Sequence, residues 1–122
     1  MSRAFVSLGS NLGDREAHLR RALQALRATR GIAQLEVSRI YETDPVGPPP
    51  QGPYLNAVAA IETKLEPRAL LERLLLIEAE EGRIRRGVRD EARTLDLDLL
   101  LFADRCIDED GLVVPHPRLH ER

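Results

Sequence analysis

Two aspartates, Asp96 and Asp98, stand two residues apart inside the apolar run LDLDLLLF at residues 95–102. Alternation along a strand sends such a pair to one face, and a rise of ~3.3 Å per residue sets their backbones roughly 6.6 Å apart. Two carboxylates at that spacing can reach one or two hard cations, which take oxygen ligands. The segment leading into this run carries Arg83, Arg85, Arg86, Arg89 and Arg93. An anionic pair beside a cationic cluster suits a metal-bound polyphosphate, with carboxylates on Mg2+ and guanidinium groups on the remaining oxygens. Each half also has a bland reading. A D-x-D pair alone fits a strand whose outer face is solvated for two residues, and the arginines fit surface ion pairs with Asp90 and Glu91, each worth little. On the strand reading, Leu95, Leu97, Leu99 and Leu101 bury the opposite face, while Leu100 and Phe102 continue the acidic one.

The elements that must position these groups are legible from periodicity. Residues 3–9 read as a strand with Ala4, Val6 and Leu8 on one face. SNLGD supplies turn and capping types. From Arg15 to about Thr29, Leu19, Ala22, Leu23 and Leu26 recur at helical spacing, and Gly31 stops the helix. Residues 34–43 and 54–63 read as strands rich in β-branched, aromatic or alternating apolar types. Between them DPVGPPPQGP, residues 44–53, holds five prolines and two glycines. That composition forbids a helix or central strand and marks a long loop of the kind that often carries function. Pro67 opens a second helix, with Leu70, Leu71, Leu74 and Ile77 on it and Gly82 at its close. Residues 83–94 are basic and irregular, 95–102 form a strand, and the tail is short and marked by proline. The order β-α-β-β-α-β predicts an α+β, ferredoxin-like sandwich with an antiparallel sheet, both helices on one face and long functional loops. That scaffold serves many functions and does not choose among them.

The bulk properties exclude several classes. The 122 residues fit one domain, and 43% hydrophobic content argues against disorder. No apolar run approaches the ~20 residues that span a bilayer. The N-terminus has no secretory pattern. The single cysteine, Cys106, cannot close an internal disulfide, so the cytoplasm is the expected location. Net charge is −2, which leaves the whole chain without the footprint of a nucleic-acid or membrane binder. Of the 18 basic residues only Lys64 is a lysine, so an anion site here is built from planar forks that grip phosphate with two bonds. The glycines of SLGSNLGD do not fit a Walker P-loop.

Six segments acquire meaning together: SLGSNLGD at 7–14, YETDPVGP at 41–48, PYLNAV at 53–58, EGRIRR at 81–86, RTLDLDLLLF at 93–102 and VPHPRL at 114–119. In this order and spacing they resemble the 6-hydroxymethyl-7,8-dihydropterin pyrophosphokinase family, over nearly the whole chain. The resemblance implies transfer of a pyrophosphoryl group from ATP to the hydroxymethyl group of a reduced pterin in folate synthesis, with AMP released. It implies two Mg2+ ions on Asp96 and Asp98. Arg83, Arg85 and Arg93 correspond to the ATP-gripping arginines, and His116 and Arg122 lie near the triphosphate. Glu78, Leu99 and Leu112 complete the implied ATP site. Arg83 and Arg93 join the two aspartates as the implied catalytic set. Tyr54 corresponds to a ring that stacks on the pterin and Asn56 to an amide that reads its edge, with Thr43, Pro45 and Val46 lining the same pocket. A phenol ring and an amide two residues apart share a strand face and suit the face and edge of such a ring. Ordinary packing for Tyr54, a capped strand end for Asn56 and a turn role for His116 are the competing readings.

The chain departs from the family pattern at Asp90, Glu91 and Ala92, where two carboxylates stand close to the implied triphosphate, and at Leu75, where a polar residue can occur. It stops at Arg122, soon after VPHP. The expectation is a single domain over 1–122 without the C-terminal portion of the family fold, with Tyr54 as the one stacking ring and turnover impaired relative to a longer form. The expected partners are ATP and the pterin, with no nucleic acid, no membrane and a monomeric state. A non-catalytic ferredoxin-like binding module explains the element order but not the acid–arginine pairing. A two-metal nuclease explains that pairing but not the acidic net charge or the scarcity of aromatic residues, two Phe and two Tyr, for base stacking.

Overall fold

The computed structural model of the chain describes residues 1–44, 52–82 and 94–117. Its elements are β1 (Ser2–Ser10), α1 (Arg15–Arg27), β2 (Ile32–Val37), β3 (Tyr41–Thr43), β4 (Tyr54–Thr63), α2 (Pro67–Glu80), β5 (Asp96–Phe102), β6 (Ile107–Glu109) and β7 (Leu112–Val114). The result is a mixed α/β architecture. One antiparallel sheet runs β2-β4-β1-β5, with β3 paired to the other end of β4, and β6 and β7 form a separate hairpin.

The period-two pattern predicted for the strands separates the two sheet faces. Ala4, Val6 and Leu8 of β1, Ala59 and Ile61 of β4, and Leu97 and Leu99 of β5 point into one buried cluster. Leu19, Ala22, Leu23 and Leu26 of α1 join it, as do Leu70, Leu74 and Ile77 of α2, so both helices cover the same face. The helix ends obey the local chemistry. Asp14 caps α1 by accepting the Ala17 N–H at 3.1 Å. Pro67 sits in the first turn of α2, where its missing N–H costs nothing.

Three features differ from the sequence-based expectation. The strand predicted over 34–43 is two strands. Ser38 interrupts it: its N–H donates to Val58 O at 2.8 Å, while its hydroxyl accepts the Val58 N–H at 2.8 Å in place of a backbone carbonyl. Because Val37 faces Ala59 and Tyr41 faces Asn56, residues 38–40 stand against only 57 and 58. The extra residue is a bulge, which bends a strand and re-aims the side chains beyond it.

A second bulge corrects the face assignment on β5. Val6 pairs with Leu99 but Phe5 with Leu101, which makes Leu100 the inserted residue. The phase flips there, so Phe102 turns into the core opposite Ala4 and leaves the acidic face, while Leu101 is only partly covered. Third, residues 107–114, to which the sequence reading gives no element, form the β6–β7 hairpin, which adds Ile107, Leu112 and Val114 to the core. Its turn is Asp110–Gly111, with Gly111 at φ 76°, and Asp-Gly is a strong two-residue hairpin signal.

Leu74 is fully buried at the centre of α2's inner face. Leu74→Ala is expected to lower unfolding free energy by about 2–5 kcal/mol through lost burial and the cavity left behind. Denaturant titration checks this, with a lower midpoint at an unchanged slope as the expected result.

Candidate active site

The face of the sheet opposite the helices collects the polar groups. Across one row of the sheet, Gly9 of β1 lies between Asp96 of β5 and Asn56 of β4, and Asn56 in turn faces Tyr41 of β3. In the next row Ser7 lies between Asp98 and Val58. Directly opposed residues of an antiparallel pair point to the same side, so both aspartates share a face with Asn56, as the sequence predicted for the acidic pair.

Leu97 is buried between the two aspartates on the other face, against Leu8. β5 is an edge strand, so alternate amides point away from β1. Glu78, at the end of α2 and only 2% exposed, receives one of them: Leu97 N–H donates to Glu78 Oε2 at 2.7 Å. A buried carboxylate thereby gains a partner, and the backbone between the two aspartates is tied to α2.

The bulge at Leu100 has a consequence for chemistry. Leu100 O accepts the His116 backbone N–H at 2.9 Å, and His116 Nε2 lies 3.4 Å from Asp98 Oδ1. The His116 imidazole is thus held beside the acidic strand by backbone as well as side chain. Leu99 and Leu112 are both buried in the core cluster.

The residues expected around a planar ring also converge. Thr43 pairs with Tyr54 across β3 and β4, and Asn56 Nδ2 donates to Thr43 Oγ1 at 2.7 Å. The floor beneath them is Gly9. A Cβ there would stand 3.2 Å from Tyr54 Cδ1 and 3.3 Å from Asn56 Oδ1, so the absence of a side chain lets ring and amide settle over β1. The motif SLGSNLGD contains this glycine, but the sequence alone does not reveal that role. Sequence reasoning also passes over Ser7, Asn11 and Arg15, which border the same region. Asn11 Nδ2 donates to Gly52 O at 3.4 Å, and Arg15 donates to Pro53 O at 2.8 Å. Ser7 and Asn11 belong to the SLGSNLGD segment and Arg15 follows it directly, which is the one signal that could have pointed to them. Pro45, Val46, Arg83, Arg85, Arg93 and Arg122, together with Asp90 and Glu91, lie outside the described residues.

A second polar network joins the helices. Glu81, which caps α2, receives His18 Nδ1 at 2.7 Å and Arg21 Nε at 2.9 and 3.1 Å. Burial pushes the Glu81 carboxyl up, but the hydrogen bonds and charges of Arg21 and His18 outweigh it and hold the group below its ordinary range.

Among the described residues no group of three or more His, Cys, Asp or Glu forms a ready metal cage, and no helix is long and apolar enough to cross a membrane. The family model of 7,8-dihydro-6-hydroxymethylpterin-pyrophosphokinase (HPPK) matches residues 5–122 of the chain. The chain belongs to this family. It is 49% identical over 119 residues to a Bacillus subtilis protein named 2-amino-4-hydroxy-6-hydroxymethyldihydropteridine pyrophosphokinase, covering 98% of this chain and 71% of that one. A Haemophilus influenzae protein of the same name is 42% identical over 122 residues, covering 100% and 76%. A third of that name, from Pseudomonas putida, is 45% identical over 118 residues and covers 97% of both chains.

A carboxylate whose pKa falls on folding stabilises the fold above its unfolded pKa and loses that contribution as pH drops through the folded value. Glu81→Gln is therefore expected to be less stable than the parent near neutral pH. The gap should close as pH falls below the ordinary glutamate range, as measured by paired denaturant titrations across pH.

Proposed function

We propose that this chain transfers pyrophosphate from ATP to the hydroxymethyl group of 6-hydroxymethyl-7,8-dihydropterin, releasing AMP, on a ferredoxin-like β-α-β-β-α-β scaffold. The observation that carries the reading is the row Asp96–Gly9–Asn56. It sets an acidic group and a ring-reading amide on one face, two strand spacings, or roughly 10 Å, apart. That span is of the order of a bicyclic ring and its one-carbon arm. The antiparallel order β2-β4-β1-β5 with both helices on the other face supports the scaffold assignment.

The donor set fits Mg2+. Asp96 and Asp98 offer hard oxygens from adjacent rows, and Mg2+ is commonly held by one or two carboxylates plus substrate phosphates rather than by an all-protein cage. We read the pair as the site of two Mg2+ ions, which when bound neutralise and align the triphosphate oxygens. Tyr54 stacks on the pterin and Asn56 reads its edge, with Thr43 holding the amide in place; Pro45 and Val46 complete that pocket. The pterin hydroxyl oxygen gives up its proton to solvent and attacks the β-phosphorus, the bond from that phosphorus to the oxygen bridging to the α-phosphate breaks, and the electron pair leaves on AMP. Arg83 and Arg93 stabilise charge on the transferred and leaving groups, and Arg85 and Arg122 grip the nucleotide. His116, held at Asp98, faces the same triphosphate. Glu78 acts from behind, fixing the amide of Leu97 so that both aspartates keep their direction. The acidic net charge and lone cysteine, Cys106, support a cytoplasmic protein without nucleic-acid or membrane partners, and we read it as a monomer.

AMP release measured with and without the reduced pterin tests the reading; pterin-dependent AMP is the expected result, and cleavage of nucleic acid in its place would overturn it. Asp96→Ala and Asp98→Ala should each lower Mg2+-dependent turnover by at least about a hundredfold while the protein stays folded. Asn56→Ala should weaken pterin binding by about tenfold, worth ~1.4 kcal/mol, and leave ATP affinity alone. Calorimetric titration with each ligand separates those outcomes.

A further inference from the structure

β3 is a weakly held strand. It has three residues, all exposed, and among the described residues it pairs with the first three of β4. Few apolar contacts stabilise such a segment, so its position depends on polar ties. One guanidinium nitrogen supplies two of them. Arg15 Nη1 donates to Glu42 Oε1 of β3 at 3.3 Å and to the Pro53 carbonyl, immediately before β4, at 2.8 Å. Thr43 comes directly after Glu42 and Tyr54 directly after Pro53, and these two residues face each other across the pair. Arg15 itself opens α1, whose N-cap, Asp14, is bonded to Ala17. Its origin is therefore anchored to a helix packed in the core. Asn11, 6% exposed, reinforces the same edge by donating to Gly52 O at 3.4 Å.

We propose that Arg15 is a positioning residue for the planar substrate: by tying Glu42 to Pro53 it sets the separation of the two strands that carry Thr43, Tyr54 and Asn56. The proposal rests on the pterin reading of that cluster. It does not touch the ATP half of the site, which hangs on β5, α2 and His116 on the other side of β1. Nor does it concern the core, which lies on the other sheet face. Loss of Arg15 therefore separates three quantities that a structural role would move together.

The experiment is steady-state AMP release by Arg15→Ala and by the parent protein, with pterin varied at saturating ATP and ATP varied at saturating pterin, alongside thermal melts of both. The KM for pterin is expected to rise about tenfold, with kcat and the KM for ATP within about twofold of the parent. The melting temperature should stay within about 2 °C, as for loss of an exposed ion pair. Glu42→Gln should raise the pterin KM less, because the Pro53 carbonyl keeps its donor. An unchanged pterin KM in Arg15→Ala, with the parent active, overturns the proposal and leaves the pterin reading standing. Equal rises in both KM values, or a melting temperature that falls in step with the KM change, overturn it in favour of general stabilisation. A parent protein that releases no AMP in response to pterin removes the reading beneath it, and the proposal with it.

Discussion

Everything at the site depends on the alternation of leucine and aspartate along β5 while that strand is held against β1. Leu97 lies against Leu8 in the core, and Asp96 and Asp98 therefore emerge on the other side. The alternative, a slip of one residue, would drive two carboxylates into an apolar core, where each costs several kcal/mol after relaxation. Register is thus specified by the most expensive error available to the sheet. Because an edge strand leaves outward amides unpaired, the same strand needs a partner on its open side, and Glu78 supplies it at Leu97. The acidic pair is fixed by hydrophobic burial below, by β1 on one flank and by a carboxylate on the other.

The remaining geometry stems from what β1 offers next to that strand. Gly9 makes the middle of the row low, so that Tyr54 and Asn56 from β4 can lean over it toward the acids. The bulge at Leu100 lets the far half of β5 return Phe102 to the core while its carbonyl captures His116. A strand without that insertion would keep strict alternation, leave Phe102 on the polar face and lose the backbone anchor for the imidazole. The bulges at residues 38–40 and at Leu100 border the polar face, where such irregularities re-aim side chains.

The sequence was informative wherever one physical demand acted alone. The alternating strand over 54–63, capping chemistry somewhere in SNLGD and Pro67 at the head of α2 could be read directly, because burial, capping and a missing N–H each leave a local signature. The shared face of Asp96 and Asp98 was legible for the same reason. The bulges were not, since a hydroxyl replacing a carbonyl at Ser38, or one extra leucine among LDLLLF, leaves the composition of the strand unchanged. The hairpin over 107–114 was missed despite a legible Asp-Gly turn, because each of its strands is only three residues long and carries little periodicity to read. Tyr54, Asn56 and His116 were singled out by resemblance and not by pattern; their proximity to Gly9, Thr43 and Asp98 is a property of register, which no local window contains.

The end of α2 shows the cost that this arrangement accepts. Its last turn and cap carry Glu78, Glu80 and Glu81 and no basic residue, although a helix C-terminus favours cations. Such a violation of local preference calls for a compensating role. Two of the three acids have one. Glu78 holds the edge of β5, and Glu81 holds His18 and Arg21 of α1, with Arg21 returning the positive charge that the helix end lacks. The final turn of α2 is consequently pinned between the acidic strand and the first helix by charge-assisted bonds, which are directional in a way that leucine packing is not. Gly82 then turns the chain at φ 81°, and the arginine-rich sequence begins one residue later. A helix end secured on both sides, and bonded to the strand bearing the carboxylates, thus stands immediately before the cationic segment in the sequence.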